Sequence, residues 1–237
     1  MHKKRLVFDI EMVGEDFDAL DELTKQDLLK GLPDSKIDKV GYERILAEKK
    51  DKLVFSPLTG KITAIGVYDP DEAKGAVYYD TAGQKADDLE EDSIKYVAMD
   101  EAEMLTKFWA LADITDEFIS FFGRRSDAPY MAVRSAIHGI RPSKDLISGR
   151  YGSSNMRASV HYDLADSLSF YGTAMYRGSL HRWCRAFGIE SPKVPDMIGS
   201  GAGEAYREGR YLEIAKYNAA DLIATAKLFH VWERYFK

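Results

Sequence analysis

Leu6-Val7-Phe8-Asp9-Ile10-Glu11 is a short apolar run that two acids interrupt at alternate positions. Successive side chains of a strand point to opposite faces, so Asp9 and Glu11 share one face while Phe8 and Ile10 share the other. Far along the chain, Tyr217-Asn218-Ala219-Ala220-Asp221 lies in a helical pattern running from Tyr211 to about Tyr235, which stacks Tyr217 one turn from Asp221. If the strand face and the helix face meet, carboxylates and a phenol converge as metal-assisted phosphodiester chemistry requires.

Around this first strand the pattern is mixed. Lys61–Tyr68, Ala76–Asp80, Glu117–Phe122 and Val160–Leu164 read as strands. Asp100–Ala112 and Ser179–Phe187 read as helices, and another helix opens at Asp127-Ala128-Pro129, where an acid and a proline suit a helix N-terminus. The acidic stretch Asp87–Asp92 reads as loop. Strands first, then helices alternating with strands, predict an α/β chain with a mixed β-sheet flanked by helices and no internal boundary, hence a single domain over 1–237. A charged, helix-patterned insertion occupies 14–53, broken at Gly31-Leu32-Pro33.

Composition narrows the function. The 237 residues carry a net charge of −6, which by itself argues against a polyanionic partner. The distribution argues the other way: residues 123–187 hold 10 Lys/Arg against 4 Asp/Glu, whereas residues 1–122 hold 16 against 28. A basic segment beside clustered carboxylates suits a metal-dependent enzyme acting on a polyanion, although an unevenly charged solvated surface gives the same count. One cysteine, Cys184, excludes an internal disulfide framework and a cysteine-rich zinc site. The five histidines show no zinc spacing, and the glycine-rich 198–203 lacks the preceding strand and the Lys-Ser/Thr ending of a phosphate loop, so it reads as a flexible loop. The apolar run behind Met1-His2-Lys3-Lys4-Arg5 is too short for a signal peptide or membrane span, so a cytoplasmic protein without membrane association is expected.

Two-metal hydrolysis needs three or four oxygen ligands around cations roughly 3.5–4 Å apart. Asp9, Glu11 and Asp221 supply three, and Asp127, in the basic middle, is the candidate fourth. Each also has a plain structural alternative: Asp9 and Glu11 as a solvated edge pair, Asp127 as a helix cap, Tyr217 as a packing residue.

Three motifs in order, Asp9-Ile10-Glu11, then Phe121-Phe122-Gly123-Arg124-Arg125-Ser126-Asp127-Ala128-Pro129, then Tyr217 and Asp221, resemble the DEDD superfamily of 3′–5′ exonucleases. Within it the chain is similar to the tyrosine subgroup, and most to the stand-alone relatives of the family B DNA polymerase proofreading domain. The histidine subgroup fits poorly, because Lys216 stands where its histidine would be. Asp163-Leu164-Ala165-Asp166 and Ser179-Leu180 through Gly188 resemble the segment linking the second and third motifs, so the likeness runs from about residue 5 to residue 230.

The resemblance implies a ribonuclease H-like fold and two divalent metal ions, Mg²⁺ or Mn²⁺. Asp9 is then expected to bridge both, Glu11 and Asp221 to hold the one carrying the nucleophilic water, Asp127 to position the second, and Tyr217 to orient the water. Phe122, Arg124, Arg125 and Asp163 become candidate substrate contacts. The expected substrate is single-stranded nucleic acid, DNA before RNA, cut from the 3′ end to 5′-mononucleotides, as in DNA repair. An exoribonuclease of the same superfamily and a non-catalytic nucleic-acid-binding protein are the alternatives. Two positions depart from the family motif: Phe122 replaces an asparagine and Ser126 a phenylalanine. The 14–53 insertion has no counterpart beyond a short connection, leaving a protein partner, self-association or gating of substrate as its expected roles. With sixteen residues after Asp221, no attached polymerase is expected.

Overall fold

The computed structural model describes residues 3–148, 159–192 and 201–237. Its strands are β1 (Arg5–Gly14), β2 (Gly60–Asp69), β3 (Lys74–Tyr79), β4 (Leu89–Glu91), β5 (Ile94–Ala98), β6 (Glu117–Ser120) and β7 (Val160–Asp163). The helices are α1 (Glu22–Leu29), α2 (Lys39–Asp51), α3 (Glu101–Asp113), α4 (Asp127–Ile137), α5 (Leu164–Leu168), α6 (Leu180–Ala186), α7 (Gly201–Arg207) and α8 (Tyr211–Tyr235). All seven strands join one sheet in the order β4-β5-β3-β2-β1-β6-β7. The sheet is mixed: β1–β2, β2–β3 and β4–β5 are antiparallel, while β1–β6, β3–β5 and β6–β7 are parallel.

Alternation along β1 divides the core in two. Val7 joins a cluster with Leu164, Cys184, Leu222 and Phe229, beneath α5, α6 and α8. Phe8 and Ile10 join the other, with Met104, Phe108 and Met131 from α3 and α4. Asp9 and Glu11 therefore face the α8 side, as the period of two demands. Phe8 sits at the centre of the second cluster, its ring 5.6 Å from Phe108 and 6.3 Å from Phe118.

Local sequence fixes several boundaries. Asp100 and Glu103 close a reciprocal capping box at the start of α3. Ser179 caps α6, which stops where Gly188 takes a left-handed φ of 69°. Two expectations need correction. The acidic stretch 87–92 contains the short strand β4, because its backbone completes the ladder at the sheet edge, where burial is not required. Of the glycine-rich stretch, 198–200 lies outside the described residues, but Gly201 to Gly203 open α7 rather than a loop, with Gly201 and Ala202 buried.

The 14–53 insertion forms a 3-10 turn at Phe17–Ala19, then α1 and α2, neither helix burying a residue. Leu53, in the turn that follows α2, is buried at 3% exposure and closes against Gly14. Among the described residues no helix is long and apolar enough to cross a membrane.

Candidate active site

β1 and α8 bring the two sequence motifs together. One carboxylate oxygen from each of Asp9, Glu11 and Asp221 lies within 4.8 Å of the others, all three residues being partly exposed. Hard oxygen donors at this spacing suit a divalent cation of the Mg²⁺ or Mn²⁺ type, so this cluster can hold a metal. Tyr217, one turn before Asp221, is buried and packs with Ala205 of α7 and Ile214.

Two residues that the motif reading passed over make this convergence possible. Gly66 is the β2 partner of Asp9 in the ladder. A Cβ there would run into the Asn218 side chain and approach Leu222 Cδ1 to 2.5 Å. Only glycine lets α8 settle so low on the sheet at the level of the acids. Asn218, fully buried, then donates through Nδ2 to Asp9 Oδ2 at 2.8 Å. The signal for Asn218 was in the sequence: an amide on the apolar face of a long helix calls for a buried partner.

Asp127 stands apart from the three clustered acids. As the first residue of α4 it is buried, and its Oδ1 accepts from the Ile10 backbone N–H at 3.1 Å. β6 pairs with β1 only at Arg5 to Val7, so the Ile10 amide on that side is available to the aspartate. Desolvation raises the Asp127 carboxyl to about 7, with the Asp163 charge adding to the rise and the Ile10 hydrogen bond opposing it. A nearby cation would reverse that balance in favour of the carboxylate.

The expected substrate contacts divide in two. Phe122, 49% exposed, and Arg125, also exposed, face solvent beside the start of α4. Asp163 and Arg124 require correction, because both are committed inward. Asp163 is 2% exposed; its Oδ1 accepts from the Phe122 and Ala165 amides at 2.9 and 3.0 Å, and its Oδ2 from the Arg124 amide at 3.0 Å. It thus caps α5 and clamps the 122–124 turn. Arg124, also buried, donates from its guanidinium to the Ile147 and His161 carbonyls at 3.0 and 2.5 Å.

That clamp holds Phe122 at a φ of +69°, a left-handed conformation that asparagine tolerates far better than phenylalanine. Beneath it, His161 is buried between Ser120 Oγ, 2.8 Å from Nε2, and the Leu146 carbonyl, 2.8 Å from Nδ1. Desolvation lowers its pKa to about 4.

The fold is also that of known proteins. The chain is similar to the family B DNA polymerase from the hyperthermophilic archaeon Pyrobaculum calidifontis, with a TM-score of 0.60 and 15% identity over 98% of this chain and 25% of that one. It thus spans about a quarter of that polymerase, and at this identity the likeness speaks for the fold alone, which is ribonuclease H-like. No curated protein matches the chain in sequence. Residues 76–236 match the model of a family described as a predicted 3′–5′ exonuclease related to the exonuclease domain of PolB. That stretch contains Asp127, Tyr217 and Asp221, and the seating of α8 on β1 brings Asp9 and Glu11 beside Asp221. With most of its length inside that match, the chain belongs to this family of predicted PolB-related 3′–5′ exonucleases, and is a predicted nuclease.

Proposed function

We propose that the chain is a metal-dependent 3′–5′ exonuclease that removes 5′-mononucleotides from single-stranded or frayed DNA, the whole of 1–237 acting as one catalytic domain with an inserted helical pair. The observation that carries this reading is the convergence of Asp9, Glu11 and Asp221 within 4.8 Å, from opposite ends of the chain.

Asp9, Glu11 and Asp221 would hold two Mg²⁺ or Mn²⁺ ions, with Asp127 behind them. Such ions, when bound, acidify water and offset the charge that develops on phosphoryl oxygens. The chain's own groups supply orientation. Asn218 fixes the rotamer of Asp9 through its amide hydrogen bond. Asp127, anchored on the Ile10 amide, fixes the start of α4 against β1. Tyr217, one turn before Asp221, would orient the attacking water by hydrogen bonding.

The test is degradation of 3′-labelled and 5′-labelled DNA and RNA strands, with metal and with chelator. Wild-type protein with Mg²⁺ or Mn²⁺ should release labelled mononucleotide from the 3′ end of DNA, and Asp9→Ala should abolish release, a loss of at least about 10³-fold. Unchanged activity in Asp9→Ala would sink the assignment. Preferential loss of RNA would move the substrate to an exoribonuclease, and strand binding without cleavage would leave a binding protein.

A further inference from the structure

Away from the carboxylates, the surface around α6 has a chemistry of its own. The segment 123–187 has 10 Lys/Arg against 4 Asp/Glu, and folding sharpens that excess. Asp127, Asp163 and Asp166 are buried, whereas Arg125, Arg177, Arg182 and Arg185 are exposed. Four arginines thus reach solvent here, with Glu190 just beyond α6 the exposed acid beside them.

Between these arginines runs a row of five aromatic rings. Tyr176 lies 6.0 Å from Trp183, which stacks on Phe187 at 6.0 Å and an interplanar angle of 9°. Phe187 lies 6.5 Å from Phe236, and Phe236 lies 6.4 Å from Phe170. Four of the five are open to solvent: Tyr176 at 54%, Phe170 at 50%, Phe236 at 44% and Phe187 at 38%. A contiguous exposed aromatic surface of this kind marks an interaction site. Backbone strain collects at the same place. Phe122, Phe170 and Tyr171 all hold left-handed φ values, 69°, 49° and 57°, which bulky residues rarely adopt and which cluster at functional sites.

The row also lies close to the candidate active site. Cys184, on the inner side of α6, is buried in the same core cluster as Ala219 and Leu222 of α8, which flank Asp221 in sequence. Trp183, half-buried against the same cluster, and Phe187, exposed, carry the aromatic row from that helix out to solvent. A cavity of about 100 Å³ between Phe122, Arg125, Arg177 and Trp183 adjoins the row.

We propose that this aromatic and arginine surface is the track along which a single strand of nucleic acid leads away from the carboxylates. Bases stack on Tyr176 and Phe187, and phosphates pair with Arg177, Arg182 and Arg185. The inference rests on the nuclease reading for its occupant. Positive charge selects a polyanion, and exposed ring faces select unpaired bases, because a duplex keeps its base faces covered.

The experiment titrates the full-length protein, in chelator, into a fluorescently labelled oligothymidylate of about 20 nucleotides at several salt concentrations, following anisotropy. Tyr176→Ala should weaken binding about tenfold or more without changing the salt slope, and Tyr176→Phe should restore it. Removing Arg177 and Arg182 together should lower the slope of log Kd against log salt by about 1.4. Lys95→Ala and Lys107→Ala, charges removed elsewhere, should leave binding within about twofold, which makes the arginine effect local. Thermal unfolding of each variant separates lost binding from lost fold. Unchanged binding in the folded Tyr176 and arginine variants overturns the track, and so does equal affinity for a duplex of the same length. Because chelator stops hydrolysis, the two readings fail separately. Digestion by wild type with unchanged variant binding removes the track alone, and weakened variant binding without wild-type digestion removes the nuclease alone.

Discussion

Helices α8 and α2 are both long and charged, yet they do opposite things with their side chains. α8 buries twelve of its 25 residues and holds Asp221 against β1, whereas the 13-residue α2 buries none. A helix pressed into a core has its register set by close packing, and a helix without one is held mainly by caps and surface pairs. α2 shows the second case: Asp38 caps it and Arg44 pairs with Glu48. The placement of the acids is therefore inherited from packing, and the insertion is where the sequence is least constrained.

That contrast breaks first at Gly66. Gly66→Val would force the Asn218 side chain and α8 away from the sheet, with an expected loss of about 3 kcal/mol in denaturant unfolding and of most nuclease activity. Retention of both would mean that α8 does not need its close seat.

A second stress on the packed side is acid. His161 is neutral in the fold to about pH 4, but an unfolded histidine protonates near 6.5. The unfolded chain thus binds the extra proton first, and stability falls as pH drops from 6.5 toward 4, by about 1.6 kcal/mol between 6.5 and 5. Arg124 disfavours the charged ring and Asp166 favours it, and both face it. Stability measured against pH should show a shallower slope for His161→Gln than for wild type in that window, and equal slopes would refute this account.

Phe122 gives a smaller change of opposite sign. Phe122→Asn relieves a left-handed phenylalanine and should raise stability by about 1 kcal/mol in chemical unfolding. Smallest of all, Val40→Ala in α2, where Val40 is 78% exposed, should change unfolding stability by less than about 0.5 kcal/mol. A larger loss would reveal a packing role for the insertion.

The sequence was legible where one local rule decided the outcome. Alternation placed Asp9 and Glu11 on one face, and the four-residue step placed Tyr217 with Asp221, because both periods are properties of the backbone. It was less legible where tertiary contacts decide. Asp163 and Arg124 look like surface polar groups in a basic segment, but nothing local says that backbone amides and carbonyls would claim their polar atoms. Gly66 reads as an ordinary strand glycine until α8 lies over it. β4 has three residues, two of them acids, and owes its existence to β5 rather than to any pattern of its own.

Asn218 and Asp9 are 209 residues apart in sequence and 2.8 Å apart in space. During synthesis β1 leaves the ribosome long before α8, and pairings so distant along the chain are among the slowest to form. A nascent chain would therefore carry Asp9 and Glu11 from an early stage without Asp221, and the carboxylate cluster would stay incomplete. On the proposed nuclease reading, competence to cut would arrive only when α8 docks, so that the order of synthesis delays the assembled site.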